Sequence, residues 1–200
     1  MSKDFQLIIP VAGPNYDFEK FNNHKLLIDI NDKKLVKWVQ VSRPYNLSDG
    51  IFIFQKRHNN KYDLVNKISK ILGKKIRYFI LNNYTAGAPQ SVLRIKNEID
   101  LKKPLFIDLL DQYIDFKNFF KFCLKNNFDG CVPIFQSLYF NRGYAKIDKQ
   151  KYIKKISEKD PKPISTNSTA CVSYFREAKF FFENAELMIK KKFCLQMVNI

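Results

Sequence analysis

Several short stretches set small or charged residues at the ends of apolar runs, where chemistry would be done. Leu7-Ile8-Ile9-Pro10-Val11 reads as a buried strand that runs straight into Ala12-Gly13. A strand opening into a small-residue turn presents backbone amides that suit phosphate oxygens. Such loops usually carry several glycines, but here Gly13 stands alone before Pro14, Asn15, Tyr16 and Asp17. Lys25 follows, and then Thr85-Ala86-Gly87-Ala88, Asp108-Leu109-Leu110-Asp111 and Glu158-Lys159. Taken singly, each has an ordinary alternative. Gly13 could be a turn glycine, Lys25 a solvated lysine, Asp111 a loop or cap aspartate, and Glu158 and Lys159 strand-end charges.

Other chemistries find less support. No serine sits in a G-x-S-x-G elbow, and no G-x-x-x-x-G-K-[ST] loop is present. His24 and His58 read as surface histidines. Cys123, Cys131, Cys171 and Cys194 are far apart in sequence with no C-x-x-C pair, so they read as reduced, mostly buried thiols rather than zinc ligands.

The elements that must position these residues alternate between strand and helix. Strands are expected over 5–11, 50–55, 75–81 and 104–110. The helices between them cover 34–42, with Leu35, Trp38 and Val39 on one side, then 61–73 stopped by Gly73, and about 89–98. A helix capped by Asp115 carries Phe116, Phe119, Phe120, Cys123 and Leu124 at helical spacing, which marks core rather than a stacking platform. Strands are expected over 130–136, 144–148, 152–158 and 170–175, and a final helix over 177–191. The β-α-β-α-β-α-β opening implies a parallel sheet covered on both faces. The later strands are expected to extend it in mixed fashion. Ligands bind such sheets at the carboxyl ends of strands, where both the opening loop and Asp111 lie.

The chain has 200 residues and 46% hydrophobic residues, which predicts one packed α/β domain over 1–200. No apolar run reaches the roughly 20 residues of a membrane span, and Met1–Pro10 does not read as a signal peptide, so a cytoplasmic protein is expected. The net charge of +16 would attract polyanions, yet the lysines are scattered in pairs, with Lys190-Lys191-Lys192 the sole run of three. No nucleic-acid-binding motif sharpens that charge into a specific RNA or DNA partner.

In order along the chain, four pieces resemble the nucleotidyltransferases that make sugar nucleotides on a GT-A-like fold. They are the strand ending in Val11-Ala12-Gly13 with Lys25-Leu26-Leu27 after it, Thr85 to Leu93, Phe106 to Tyr113, and Tyr144 to Pro163 with its Glu158-Lys159. The resemblance implies a three-layer domain with a mixed, mainly parallel sheet. It also implies Mg²⁺-dependent transfer of a nucleotidyl group from a nucleoside triphosphate to a small phosphorylated acceptor, such as a sugar phosphate used in surface polysaccharide assembly. That reaction needs amides and a lysine around phosphates, a metal to neutralise charge, and positioning. By resemblance, Val11, Ala12 and Gly13 hold the nucleotide and its phosphates, and Gly87 and Ala88 admit the base. Lys25 meets charge on the triphosphate, Asp111 holds Mg²⁺, Glu158 takes acceptor hydroxyls and Lys159 the acceptor phosphate.

The sequence departs from the family's pattern at specific places. Asn15 and Asp17 stand where the family has a second glycine and an arginine, with Phe18 retained. His24 replaces a proline before Lys25. No acid follows Glu186 to match the family's late metal carboxylate. A divergent branch, a weakened enzyme and a truncated sequence all accommodate these departures. Two other readings share the fold: a nucleotide-binding protein without turnover, and a glycosyltransferase. The second is disfavoured because Asp108 and Asp111 lack D-x-D spacing.

Overall fold

The computed structural model describes residues 5–139, 142–160 and 162–191. Its strands, in chain order, are β1 (Gln6–Pro10), β2 (Asp29–Ile30), β3 (Lys33–Lys34), β4 (Ile51–Gln55), β5 (Arg77–Leu81), β6 (Leu105–Asp108), β7 (Gly130–Cys131), β8 (Ile134–Gln136), β9 (Gly143–Ile147), β10 (Ile153–Glu158), β11 (Asn167–Thr169) and β12 (Val172–Phe175). Its helices are α1 (Tyr16–Glu19), α2 (Leu35–Ser42), α3 (Lys56–Tyr62), α4 (Leu64–Leu72), α5 (Ala88–Leu93), α6 (Lys117–Lys125) and α7 (Ala178–Lys190).

Strand alternation builds the layers. In β1, Leu7 and Ile9 enter one core cluster and Ile8 the other; in β4, Phe52 and Phe54 oppose Ile51 and Ile53; in β6, Phe106 opposes Leu105 and Ile107. Both faces are apolar because both are covered, which is why these strands read as continuous hydrophobic runs. Val36 and Val39 of α2, Leu64 and Ile68 of α4 and Cys123 of α6 close the first face. Val92 of α5 with Ala178, Phe181, Phe182 and Ala185 of α7 closes the second. The fold is therefore the expected three-layer α/β architecture.

The six-stranded sheet has the order β5-β4-β1-β6-β12-β7. β1 pairs in parallel with β4 and β6, and β4 with β5, while β12 runs antiparallel to β6 and β7. The chain steps outward from β1 to β4 and β5, then crosses back through α5 to place β6 on the other side of β1. All four parallel strands end at one edge, and β12 begins there.

Three expectations need correction. The helix foreseen over 61–73 is two helices, broken at Asp63 in left-handed backbone (φ 53°); Gly73 (φ 70°) does stop the second. In α2 the buried residues are Val36, Val39 and Ser42, with Leu35 and Trp38 half-buried. The later strands extend the main sheet only in part. Residues 130–136 split between two sheets, β7 joining the main one and β8 a separate antiparallel sheet of order β10-β9-β11-β8; within 170–175 β12 joins the main sheet, and β11, a strand just before it that was not expected, joins the separate one. Pro133 lies at one break, where the missing N–H interrupts a ladder. Ala170-Cys171 forms the other, with Ala170 N–H donating to the Pro133 carbonyl at 2.9 Å. A run of strand-forming residues does not reveal that it changes partners midway.

Candidate functional site

The opening loop is built from β1 outward. Val11 N–H donates to the Ile53 carbonyl at 2.9 Å, which prolongs the strand, and Ala12 is buried in the core cluster that holds α5 on β1. Gly13 is exposed, and a Cβ built there would meet nothing within 4 Å among the described residues, so none of their atoms demands a glycine. Asn15 is only 2% exposed. Its Nδ2 donates to the Asn23 carbonyl at 2.8 Å and its Oδ1 accepts from Lys25 N–H at 3.1 Å. Its own carbonyl accepts from Phe18 and Glu19 to start α1. The residue in place of the family's second glycine is therefore a staple that fixes the backbone of Lys25 beside the loop. Lys25 is half-buried, and its ammonium has no ion-pair partner among the described residues. The side chain of Asp17 lies outside the described residues.

His24 and His58 correct the surface expectation, since each is 1% exposed. His24 Nδ1 accepts from Leu26 N–H at 3.3 Å, capping the turn that carries Lys25. Burial, and then the nearby His58 and Lys25 charges, drive its pKa down to about 3, so it is neutral. The two rings lie 5.7 Å apart. His58 Nε2 is 3.0 Å from the Tyr84 hydroxyl, in the loop that leads to Gly87. A lone polar residue among exposed neighbours gave no sign of this packing.

Gly87 caps α5 at φ 154°, a conformation that side chains rarely adopt, so the glycine is required by the backbone itself. Thr85 Oγ1 bonds Ser91 Oγ at 2.6 Å and donates to the Gly87 carbonyl at 3.2 Å, fixing this turn and Ala88 after it. Because α5 packs on β1, this turn and Val11-Ala12-Gly13 belong to the same edge of the sheet.

At the end of β6, Asp108 is fully buried, and beyond the strand Asp111 is exposed. Arg43 clamps the stretch that carries both, from Asp108 to Ile114. Its Nε and Nη2 donate to Asp108 at 2.6 and 3.0 Å, and its remaining donors reach Ser42 Oγ, the Ile114 carbonyl and the Gln112 carbonyl. Tyr45 Oη adds a bond to Asp108 at 2.9 Å, and Leu110 N–H another at 3.0 Å, with Leu110 in left-handed backbone (φ 56°). This cluster was missed. An aspartate inside Pro104-Leu105-Phe106-Ile107-Asp108 was the available signal, because a buried charge demands a partner.

Asp111, Glu158 and Lys159 converge on one cavity of about 370 Å³, lined also by Gln112, Tyr139, Arg142, Gly143, Thr169, Ala170 and Cys171. It lies where β6 ends, β12 begins and the second sheet meets the first. Glu158 stands opposite Gly143 in the β9–β10 ladder. A Cβ on Gly143 would come within 2.5 Å of Glu158 Oε2 and 2.6 Å of Thr169 Oγ1, so the glycine makes the room in which the carboxylate sits. Burial, with Asp108 and Asp111 nearby, pushes the Cys171 thiol up, so it stays protonated. Arg142 was also missed; nothing local in the sequence singles it out.

Among the described residues, no group of three or more His, Cys, Asp or Glu is placed to hold a metal ion. With Asp108 committed to Arg43 and Tyr45, Asp111 is the accessible carboxylate at the strand end. That donor set fits Mg²⁺ in the form that takes one or two carboxylates and completes its shell with water and substrate phosphates.

No family model matches the chain, and no curated protein does. Solved structures do. A nucleoside-diphosphate-sugar pyrophosphorylase from Vibrio cholerae RC9 matches with a TM-score of 0.75 at 19% identity, over 92% of this chain and 78% of that one. A Bacillus anthracis protein described as a glucose-1-phosphate thymidylyltransferase, in complex with sucrose, matches at 0.72 and 18%, over 94% and 75%. A UDP-glucose pyrophosphorylase complexed with UDP-glucose matches at 0.65 and 16%, over 91% and 79%. The fold is that of the sugar-nucleotide-forming nucleotidyltransferases, as the four sequence pieces implied.

Proposed function

We propose that this protein transfers a nucleotidyl group from a nucleoside triphosphate to a small phosphorylated acceptor, a sugar phosphate or a close relative. The observation that carries the reading is the convergence of Asp111, Glu158 and Lys159 on one cavity at the carboxyl edge that also bears Gly13 and Gly87. An oxygen of the acceptor phosphate attacks the α-phosphorus, the bond from that phosphorus to the bridging β-oxygen breaks, and pyrophosphate leaves. Val11, Ala12 and the open space over Gly13 receive the nucleotide phosphates, with Lys25 countering their charge. Gly87 and Ala88 let the base approach closely. Glu158 accepts from acceptor hydroxyls while Lys159 draws its phosphate. Asp111 would hold Mg²⁺, which supplies charge neutralisation on the phosphates. Such chemistry is positioning and electrostatics, with no covalent step on the protein.

The single domain, a cytoplasmic setting and a role in surface polysaccharide assembly belong to the same proposal, since activated sugars are what such assembly consumes. Among the described residues, no helix is long and apolar enough to cross a membrane. The test is pyrophosphate release with each of the common nucleoside triphosphates against a panel of sugar phosphates. One productive pair is expected. Nucleotide binding with no turnover on any pair would leave a binding protein of this fold instead.

A further inference from the structure

Arg142 and Lys159 face each other across the open end of the β9–β10 hairpin. The ladder closes at Glu158 opposite Gly143, and one step further Lys159 N–H donates to the Arg142 carbonyl at 3.1 Å. Both side chains line the cavity that holds Asp111 and Glu158. Like charges opposed on neighbouring strands are destabilising, and neither cation has an ion-pair partner among the described residues. Lys159 also leaves the strand in left-handed backbone (φ 51°).

The guanidinium of Arg142 is held from below. It lies over the rings of Phe135 and Tyr139, 5.3 and 5.6 Å from their centroids. Its Nε is buried, with no hydrogen-bond partner among the described residues. A buried unsatisfied donor on a charged group is costly and calls for an acceptor. A planar, pre-oriented fork is suited to two oxygens of a phosphate, whereas an ammonium acts as a point charge.

We propose that Arg142 and Lys159 form a two-cation cradle for the phosphate of the acceptor, with Arg142 the specificity-determining member. The inference rests on the acceptor site assigned above and narrows it. The acceptor is a phosphate monoester whose hydroxyls reach Glu158, and a neutral sugar is refused because it leaves two opposed cations uncompensated.

Titration calorimetry with inorganic phosphate and with glucose 1-phosphate tests this, beside ATP and CTP as nucleotide probes. Arg142→Gln is expected to weaken both phosphate probes by about tenfold, the size of a lost charge-assisted hydrogen bond. Arg142→Lys should restore only part of that, and ATP and CTP should bind as to the parent. Lys155→Gln, on the same hairpin but outside the cavity, should change nothing. An unmelted Arg142→Lys variant serves as the reading if Arg142→Gln fails to fold. The cradle is overturned if the parent binds neither phosphate probe, if Arg142→Gln binds them as the parent does, if Lys155→Gln loses as much, or if the nucleotides lose equally. Arg142-dependent phosphate binding in a protein that releases no pyrophosphate keeps the cradle and removes the proposed reaction.

Discussion

Arg43 Nε lies 2.6 Å from Asp108 Oδ2 with both side chains fully buried, joining the end of α2 to the end of β6. Removing one partner leaves an uncompensated buried charge, which costs about 3–5 kcal/mol. Arg43→Met and Asp108→Leu are each expected to destabilise by that amount in urea denaturation. The double variant should recover much of the loss, because the pair repays little beyond its own desolvation. Recovery of stability should not bring back nucleotide binding, since Arg43 also holds the Gln112 and Ile114 carbonyls that shape the segment carrying Asp111.

Asp111→Asn should leave the unfolding midpoint unchanged, because Asp111 is exposed. It should weaken nucleoside triphosphate binding in the presence of Mg²⁺ while leaving metal-free binding alone. Calorimetric titration at several Mg²⁺ concentrations checks this; equal metal dependence in variant and parent would remove Asp111 from that role.

Gly143→Ala puts a methyl group where Glu158 Oε2 and Thr169 Oγ1 now lie. Both are side-chain tips that can turn away, so the expected stability loss is about 1 kcal/mol, within the ordinary range for point changes. Acceptor recognition should suffer far more, seen as a raised KM for the sugar phosphate with the KM for the nucleotide unchanged. A variant with parental acceptor KM would show that Glu158 does not act from its present position.

The buried His24 predicts an acid-sensitive fold. Its folded pKa of about 3 is below its unfolded value, so between those values the unfolded chain binds the extra proton and stability falls as pH falls. By pH 4.5 the loss amounts to about 2–3 kcal/mol from this residue. Urea denaturation at pH 7 and pH 4.5 should show a smaller difference between the two pH values for His24→Gln than for the parent. Matching pH dependence would mean the imidazole is hydrated in solution.

The sequence determined the layers of this protein. Runs such as Leu7 to Val11 and Ile51 to Phe54 fix buried parallel strands, because a strand covered on both faces is apolar at every position. The order of Gly13, Gly87, Asp111 and Glu158-Lys159 along those elements placed all of them at strand ends or turns. What each does to its neighbours was decided only by tertiary structure. Asn15 reads as a departure from a glycine and is a staple for Lys25, because its side chain meets a segment brought back by the chain's return. His24 and His58 carry no periodic signal, and their burial follows from packing between α3 and the turn at Lys25. The meeting of Asp111 with Glu158, Lys159 and Arg142 depends on two strand segments changing sheets at Pro133 and Cys171. Hydrophobic periodicity is blind to that, since it records which face of a strand is buried and never which strand lies beside it.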